Sequence, residues 1–192
     1  MNVTPLTLDL QTVEFTDEQI FQLYLSNRDL RFERHANKDL IVISPTRREA
    51  ENLNGRVIQQ LFNWIDRGGN GVAFDSSIGY KLPNGVNRSP DISWIPQQLW
   101  EALTQEQKYR FVPLCPNFVI ELLSPGDSLP ETQERMREYQ QHGTRLGWLI
   151  DYRQRRVEIY RQEEAVEVVA FPHSLSGEDI LSGFVLDLEK IW

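Results

Sequence analysis

The sequence predicts an α/β fold in which a central mixed sheet is flanked by helices. Along the chain, the predicted elements run as a helix, a hairpin, a second helix, several strands, a third helix and further strands. The segment 117–123, NFVIELL, is an almost unbroken apolar run, which is typical of a strand covered on both faces. The segment 46–69 repeats apolar residues at every fourth position, which predicts an amphipathic helix.

The N-terminal third is predicted to contain a helix, a hairpin and then the amphipathic helix. Thr16 or Asp17 fits the N-cap of a helix whose apolar residues recur at helical spacing. The segments 30–35 and 39–44, LRFERH and DLIVIS, flank a polar turn and therefore predict two paired strands. The amphipathic helix that follows is expected to end at the glycine pair 68–69.

The rest of the chain is predicted to alternate strands with helices. Turn residues separate the segments, and the strand candidates are rich in apolar and β-branched residues. The expected strands are 71–82 (either one strand or a bent hairpin arm), 91–95, 117–123, 145–152, 155–162, 165–171 and a short strand or closing segment in 183–192. The expected helices are 96–107 and 130–143, and 83–85 is expected to be a turn.

The composition predicts one globular domain, residues 1–192, with its core at about 31–161. Hydrophobic residues make up 40% and charged residues 25% of the chain, which is ordinary for a soluble protein. No apolar stretch is long enough to span a membrane, and the first residues lack the features of a secretory signal. Cys115 is the only cysteine, so an intrachain disulfide is excluded and a reducing cytoplasm is the expected compartment.

The charge distribution limits the ways in which the protein could bind nucleic acid. A net charge of −8 argues against broad, non-specific binding, although it does not exclude a local basic patch. Solvated surface is the simpler interpretation of any one arginine cluster. The clusters are Arg47 and Arg48; Arg135 and Arg137; and Arg145, Arg153, Arg155, Arg156 and Arg161.

Two carboxylates stand in segments that are otherwise predicted to be buried strands. Asp91 begins the apolar run DISWI, and Glu121 lies between Ile120 and Leu122. An ionised carboxylate is costly to bury unless it is hydrogen-bonded, paired or bound to a cation. If the two strands are neighbours, both acids lie at one end of the sheet, where with a backbone carbonyl and waters they would suit Mg²⁺ or Mn²⁺.

Two further residues could act beside these acids. Glu49 shares a helix face with Leu53, so it could reach towards the sheet, but a favourable interaction with the helix dipole explains it equally well. Arg135 is spaced i,i+4 from Tyr139 and could place a fixed positive charge over the strand end. An exposed arginine paired with an acid on its own helix is the simpler interpretation of Arg135.

Several segments together resemble a bacterial family of candidate endonucleases, long catalogued as a domain of unknown function, in the PD-(D/E)xK restriction endonuclease-like superfamily. The likeness covers nearly the whole chain from about Arg31 onwards. The segments that carry it are FERHANKDLIVISPT, GVAFDSSIGYKLPNG, SPDISWI, CPNFVIELLSPGD, QERMREYQQHGTRLGWLIDY, VEIYR and LSGFVLDLEKIW.

This resemblance implies a restriction endonuclease-like fold, with the active site at the splayed ends of two core strands. Asp91 matches the aspartate of the PD element, Glu121 matches the acid of ExK, and Glu49 resembles an acid supplied by the first core helix. The usual lysine position is Leu123 in this chain. In similar proteins the lysine has moved to the next helix, where this chain has Arg135.

The resulting hypothesis is an endonuclease that hydrolyses DNA with Mg²⁺ or Mn²⁺ held by Asp91, Glu121 and Glu49. Arg135 would replace the lysine, although arginine cannot give up a proton. The resemblance also implies a homodimer, because many superfamily members dimerise to cut two strands. The alternatives are a catalytically weak or inactive nucleic-acid-binding protein on the same fold and, less favoured, a hydrolase acting on another substrate, such as a two-carboxylate glycosidase.

Overall fold

The computed structural model describes residues 6–192 except 11, 14, 28–29, 36–37 and 44–47, and it leaves the side chains of 31, 43 and 48–51 undescribed. In chain order the elements are β1 (Leu6–Leu8), α1 (Asp17–Ser26), β2 (Arg31–Arg34), β3 (Leu40–Ile43), α2 (Arg48–Asp66), β4 (Val72–Asp75), β5 (Tyr80–Lys81), β6 (Asn87–Arg88), β7 (Ile92–Ile95), α3 (Gln97–Glu101), α4 (Gln105–Tyr109), β8 (Phe118–Leu122), α5 (Leu129–Gln141), β9 (Leu146–Asp151), β10 (Arg156–Arg161), β11 (Glu167–Ala170), β12 (Ser174–Ser176) and β13 (Val185–Asp187). A 3₁₀ turn, Leu188–Lys190, follows β13.

The central sheet has six strands in the order β11-β10-β9-β8-β7-β4. Strands β8 and β9 are parallel, and the other neighbouring strands are antiparallel. Helix α5 connects the parallel pair, because two parallel neighbours need a crossover connection. The predicted mixed sheet flanked by helices is therefore confirmed.

The two faces of this sheet are covered by different elements. Leu53, Val57 and Leu61 of α2 pack on one face, with Ile92 and Ile120. Met136 and Tyr139 of α5 pack on the other face, in a cluster that contains Val119 and Leu149. Because side chains alternate along a strand, even-numbered residues of β8 face α2 and odd-numbered residues face α5.

A second sheet has five antiparallel strands in the order β1-β3-β2-β6-β5, and its last two strands in sequence, β5 and β6, follow β4 of the central sheet. Its β2–β3 hairpin is the predicted one. Helix α1 begins at the predicted N-cap Thr16, whose hydroxyl accepts a hydrogen bond from the backbone N–H of Gln19 at 3.2 Å. Helix α1 packs on this second sheet, and the side chains of Ile20, Phe32 and Leu40 form the small core between them.

Three local features differ in detail from the sequence predictions. The expected helix 96–107 is two short helices, because Thr104 starts a new one with a capping box to Gln107. The expected strand 71–82 divides between the two sheets after a turn in which Asp75 accepts a hydrogen bond from the N–H of Ser77. Strands β1, β6 and β12 were not predicted; β1 pairs with β3, β6 pairs with β2 and β5, and β12 pairs with β13.

Candidate active site

Asp91 and Glu121 face each other across the β7–β8 pair. Ile92 is opposite Ile120 in this antiparallel register, so the next position outwards places Asp91 opposite Glu121. Both side chains belong to the face covered by α5, and their residues are only 7% and 3% exposed. Asp91 Oδ2 accepts a hydrogen bond from the N–H of Leu122 at 3.0 Å, which ties one acid to the neighbour of the other.

Helix α5 brings two more side chains to Glu121. The hydroxyl of Tyr139 donates a hydrogen bond to Glu121 Oε1 at 3.2 Å, and Arg135 Nη1 lies 3.5 Å from Glu121 Oε2. The spacing of Arg135 and Tyr139, one helical turn, lets both reach the same carboxylate. Arg135 does not pair with an acid on its own helix, as the simpler interpretation of the sequence expected. Its carboxylate partners are Glu121 on β8 and Glu33 on β2.

Arg135 is held by charge rather than by hydrogen bonds. Its guanidinium lies 3.5 Å from Glu121 and 3.9 Å from Glu33, and in the described part of the chain it makes no hydrogen bond. Burial lowers the pKa of Arg135, but the carboxylates of Glu33 and Glu121 raise it, and the result is a pKa above its ordinary value. Arg135 is therefore a permanent cation whose N–H groups are available to a ligand.

Tyr139 is kept in its protonated form. Burial raises the pKa of its hydroxyl well above the ordinary value, and the negative charges of Glu121 and Glu33 raise it further. Tyr139 consequently acts as a hydrogen-bond donor to Glu121 at any physiological pH.

A second group of charged residues connects the smaller sheet to this site, and the sequence did not predict it. The buried Glu33 carboxylate of β2 accepts hydrogen bonds from Arg88 Nη1 at 3.2 Å and from the N–H of Ser89 at 3.4 Å. Arg88 Nε also donates to Glu138 of α5 at 2.7 Å. Because Ser89 is two residues before Asp91, Glu33 holds the backbone that leads into β7.

Above Arg135 lies an open cleft of about 860 Å³ between the smaller sheet and α5. Its wall carries both signs of charge: the positive residues are Arg88, Arg135 and Arg137, and the negative ones are Asp39, Glu131, Glu134 and Glu138. Burial and the nearby Arg88 lower the pKa of His35, another lining residue, so its ring is neutral at neutral pH. Arg135 thus lies between the cleft and the buried acids.

Two predicted features concern residues at the edge of this site. Leu123, at the usual lysine position, packs against the apolar cluster beneath α5 and brings no charge. The backbone of Glu49 lies in the first turn of α2, but its side chain is outside the described residues, so its role stays a prediction. Among the described side chains, no group of three or more His, Cys, Asp or Glu residues is placed to hold a metal ion.

Comparison with known proteins identifies relatives of the whole fold. Residues 17–189 match the family model Uma2, described as "Putative restriction endonuclease". The fold is similar to the crystal structure of a putative nuclease belonging to DUF820 from Anabaena variabilis, with a TM-score of 0.74 and 19% sequence identity over 93% of this chain and 97% of that one. No curated protein matches the sequence significantly. No helix in the described ranges is long and apolar enough to cross a membrane.

Proposed function

The chain belongs to the Uma2 family, of the restriction endonuclease-like superfamily, and on that premise we propose that it is a divalent-metal-dependent endonuclease that hydrolyses DNA. One observation carries the proposal: Asp91 and Glu121 occupy facing positions at the end of the β7–β8 pair, with Arg135 between them and the cleft. A buried acid pair beside an arginine that can contact a phosphate is a combination that supports metal-assisted hydrolysis of a phosphodiester.

The residues present suit Mg²⁺ or Mn²⁺. Mg²⁺ in proteins is commonly held by one or two carboxylates, with waters and substrate phosphates completing its shell, so Asp91 and Glu121 suffice as protein ligands. We infer that Glu49 assists as a third acid. The carboxylates of Asp91 and Glu121 stand at facing positions of neighbouring strands and are hard oxygen donors, the type of ligand that Mg²⁺ and Mn²⁺ prefer.

Each side chain then has a defined task. A bound cation would supply a Lewis acid and a water of lowered pKa. Asp91 and Glu121 would hold it, and the Leu122 N–H and the Tyr139 hydroxyl orient these two carboxylates. Arg135 binds the scissile phosphate from the cleft and stabilises the charge that develops there. With its raised pKa, Arg135 does not exchange a proton during the reaction.

The direct test is cleavage of supercoiled plasmid with and without Mg²⁺ or Mn²⁺. Wild-type protein should nick or linearise the plasmid, and EDTA should stop the reaction. Asp91→Asn should abolish cleavage, whereas the matched control Asp179→Asn, which changes an exposed aspartate paired with Arg145, should cleave like wild type. Undiminished cleavage by Asp91→Asn would contradict the proposal.

One observation favours the alternative of a DNA-binding protein that cuts weakly or not at all. Arg135 already forms an ion pair with Glu121, and no lysine stands at position 123. Arg135→Lys distinguishes the two: a protein that binds DNA and remains inactive as both arginine and lysine forms supports the inactive binder. We also propose a homodimer, so that two sites act on two strands; light scattering with and without DNA would measure it.

A further inference from the structure

We propose that the turn between β9 and β10 is a second contact surface for the DNA backbone, in which Arg153 and Arg155 bind phosphates that flank the scissile one. This inference rests on the proposed function and adds a binding surface to it. Three observations support it: the position of the turn in the sheet, the hydrogen bonds that fix its backbone, and the absence of carboxylate partners for its arginines among the described residues.

The turn lies at the same end of the sheet as the two acids. Glu121 is opposite Leu149 in the parallel β8–β9 pair, and Leu123 donates a backbone hydrogen bond to Ile150 just before the turn begins. Strand β9 ends at Asp151, two residues beyond Leu149, and Arg153 follows in the turn. At a rise of about 3.3 Å per residue, the turn therefore begins roughly 7 Å beyond Glu121. The rise along the axis of a DNA duplex is about 3.4 Å per base pair, so a surface at this distance can contact phosphates within a few nucleotides of the scissile one.

The backbone of the turn is fixed while its side chains are exposed. Asp151 Oδ1 accepts hydrogen bonds from the N–H groups of Arg153 and Gln154 at 3.1 and 3.0 Å. The carbonyl of Arg155, which has a φ of 49°, accepts a hydrogen bond from Phe171 at 2.7 Å. Arg153 and Arg155 project from this ordered frame into solvent, so ordering the backbone adds little to the cost of binding.

These arginines differ from most others in the protein. Arg88, Arg145 and Arg161, for example, are each within 4 Å of a carboxylate. In the described part of the chain, four arginine side chains have neither an ion pair nor a hydrogen bond: Arg67, Arg137, Arg153 and Arg155. Arg137 lines the cleft, and Arg153 and Arg155 lie in the turn at the same end of the sheet as Glu121. In a protein with a net charge of −8, the unneutralised cations mark where a polyanion can bind.

Arg67 supplies a matched control. It is exposed and makes no ion pair, but it follows α2 and leads to Val72, which pairs with Ile95 at the opposite end of β7 from Asp91. The test compares Arg153→Gln/Arg155→Gln with Arg67→Gln in two assays. Fluorescence anisotropy of a labelled 30-base-pair duplex, in an Asp91→Asn background over 50–200 mM NaCl, measures binding. Plasmid cleavage by the same variants, made without the Asp91→Asn change, measures KM and kcat.

The double variant should bind roughly tenfold more weakly, and the slope of log K against log salt should fall by about 1.8, because each lost phosphate contact removes about 0.9. Its KM should rise while kcat stays within about twofold, since the acids and Arg135 are untouched. Arg67→Gln should match its parent in all four quantities. If the double variant also matches its parent while the wild type cleaves DNA, the turn is not a contact surface and the proposed function survives. A wild type that neither binds nor cleaves DNA overturns both.

Discussion

Glu121 and Glu158 are two buried glutamates on the same face of the central sheet, and their surroundings differ. Both are opposite Leu149, Glu121 on β8 and Glu158 on β10, and both lie beneath α5. Glu158 accepts hydrogen bonds from Arg156 at 2.6 Å and Tyr160 at 2.8 Å, and two from Gln133 at 2.8 and 3.0 Å.

Glu121 is held more loosely by α5 and has another acid beside it. Its contacts with Tyr139 and Arg135 are 3.2 and 3.5 Å long, and Asp91 is its neighbour in the register. Short hydrogen bonds from the protein's own donors offset the cost of burying Glu158, which is the pattern of a carboxylate that stabilises the fold. The arrangement around Glu121 suits an added cation instead. Two glutamates on one face of the sheet therefore have different roles: Glu158 stabilises the fold, and Glu121 is the proposed catalytic residue.

The largest expected effect is the loss of activity in Glu121→Gln. This change removes a proposed metal ligand, so plasmid cleavage should fall by roughly 10³-fold. The melting temperature should change little, because the lost attraction to Arg135 is offset by lower repulsion from Asp91 and Glu33, and the amide oxygen can still accept the hydrogen bond from Tyr139. Calorimetry on the same preparation checks the second point. A fall in stability without loss of cleavage would reverse the assignment of Glu121 and Glu158.

Glu158→Ala should have the opposite consequence. It leaves Arg156, Gln133 and Tyr160 without their shared acceptor, and removing one partner of a buried ion pair costs about 3 kcal/mol when the other partner is partly solvated. For a protein of this size, the melting temperature should fall by about 6 to 12 °C. Below the transition, kcat per folded molecule should remain near that of wild type. A loss of cleavage comparable to that of Glu121→Gln would show that the two carboxylates share one role.

Arg135→Ala should lower kcat by roughly 10²-fold, since it removes the charge that we propose stabilises the reacting phosphate. Arg135→Lys should stay within about threefold of wild type, because a compact ammonium between Glu33 and Glu121 keeps that charge. Arg156→Ala, which removes the cation beside Glu158, is the matched control and should affect stability more than kcat. Equal kcat values for the two alanine variants would contradict a special role for Arg135.

The smallest expected effect is a change in the reactivity of Cys115, which depends on how closely α5 packs against the residues beneath it. Burial raises the pKa of its thiol to about 11, and its Sγ lies 3.6 Å from the carbonyl of Tyr139. At pH 8 the raised pKa leaves less thiolate than an exposed cysteine has, so iodoacetamide should label it slowly. Glu158→Ala should loosen the helix, lower this pKa and increase labelling several-fold, whereas Glu121→Gln should not. Equal labelling of both variants would remove the distinction in how the two acids hold α5.

The sequence predicted those parts of the site that depend on local pattern. An acid inside the apolar run of β8 and another at the start of β7 indicated the Asp91–Glu121 pair, and helical spacing placed Arg135 with Tyr139. It did not predict the contacts of Glu33 with Arg88, because these residues are 55 positions apart and only the packing of two sheets joins them. The pattern around Glu33 predicted only a hairpin strand, and it did not indicate which other elements pack against that strand.

The same distinction, between features set by local pattern and features that local pattern does not show, applies to the fold predictions. The long helix and the strands of the central sheet carry periodic apolar residues, and their types were predicted. The break at Thr104 and the passage of 71–82 between two sheets depend on single capping and turn residues, which periodicity does not detect. Strand β12 has only one buried apolar residue, Leu175, and gives almost no pattern.

The hydrogen bond from Leu122 to Asp91 has a consequence for how the chain can vary. A slip of one residue between β7 and β8 would turn Asp91 or Glu121 to the face covered by α2 and break this bond. The connection between the two strands, 96–117, can therefore gain or lose residues at its exposed positions, while a single insertion inside either strand should be inactivating. Cleavage activity would then serve as a reporter of correct strand registration during folding.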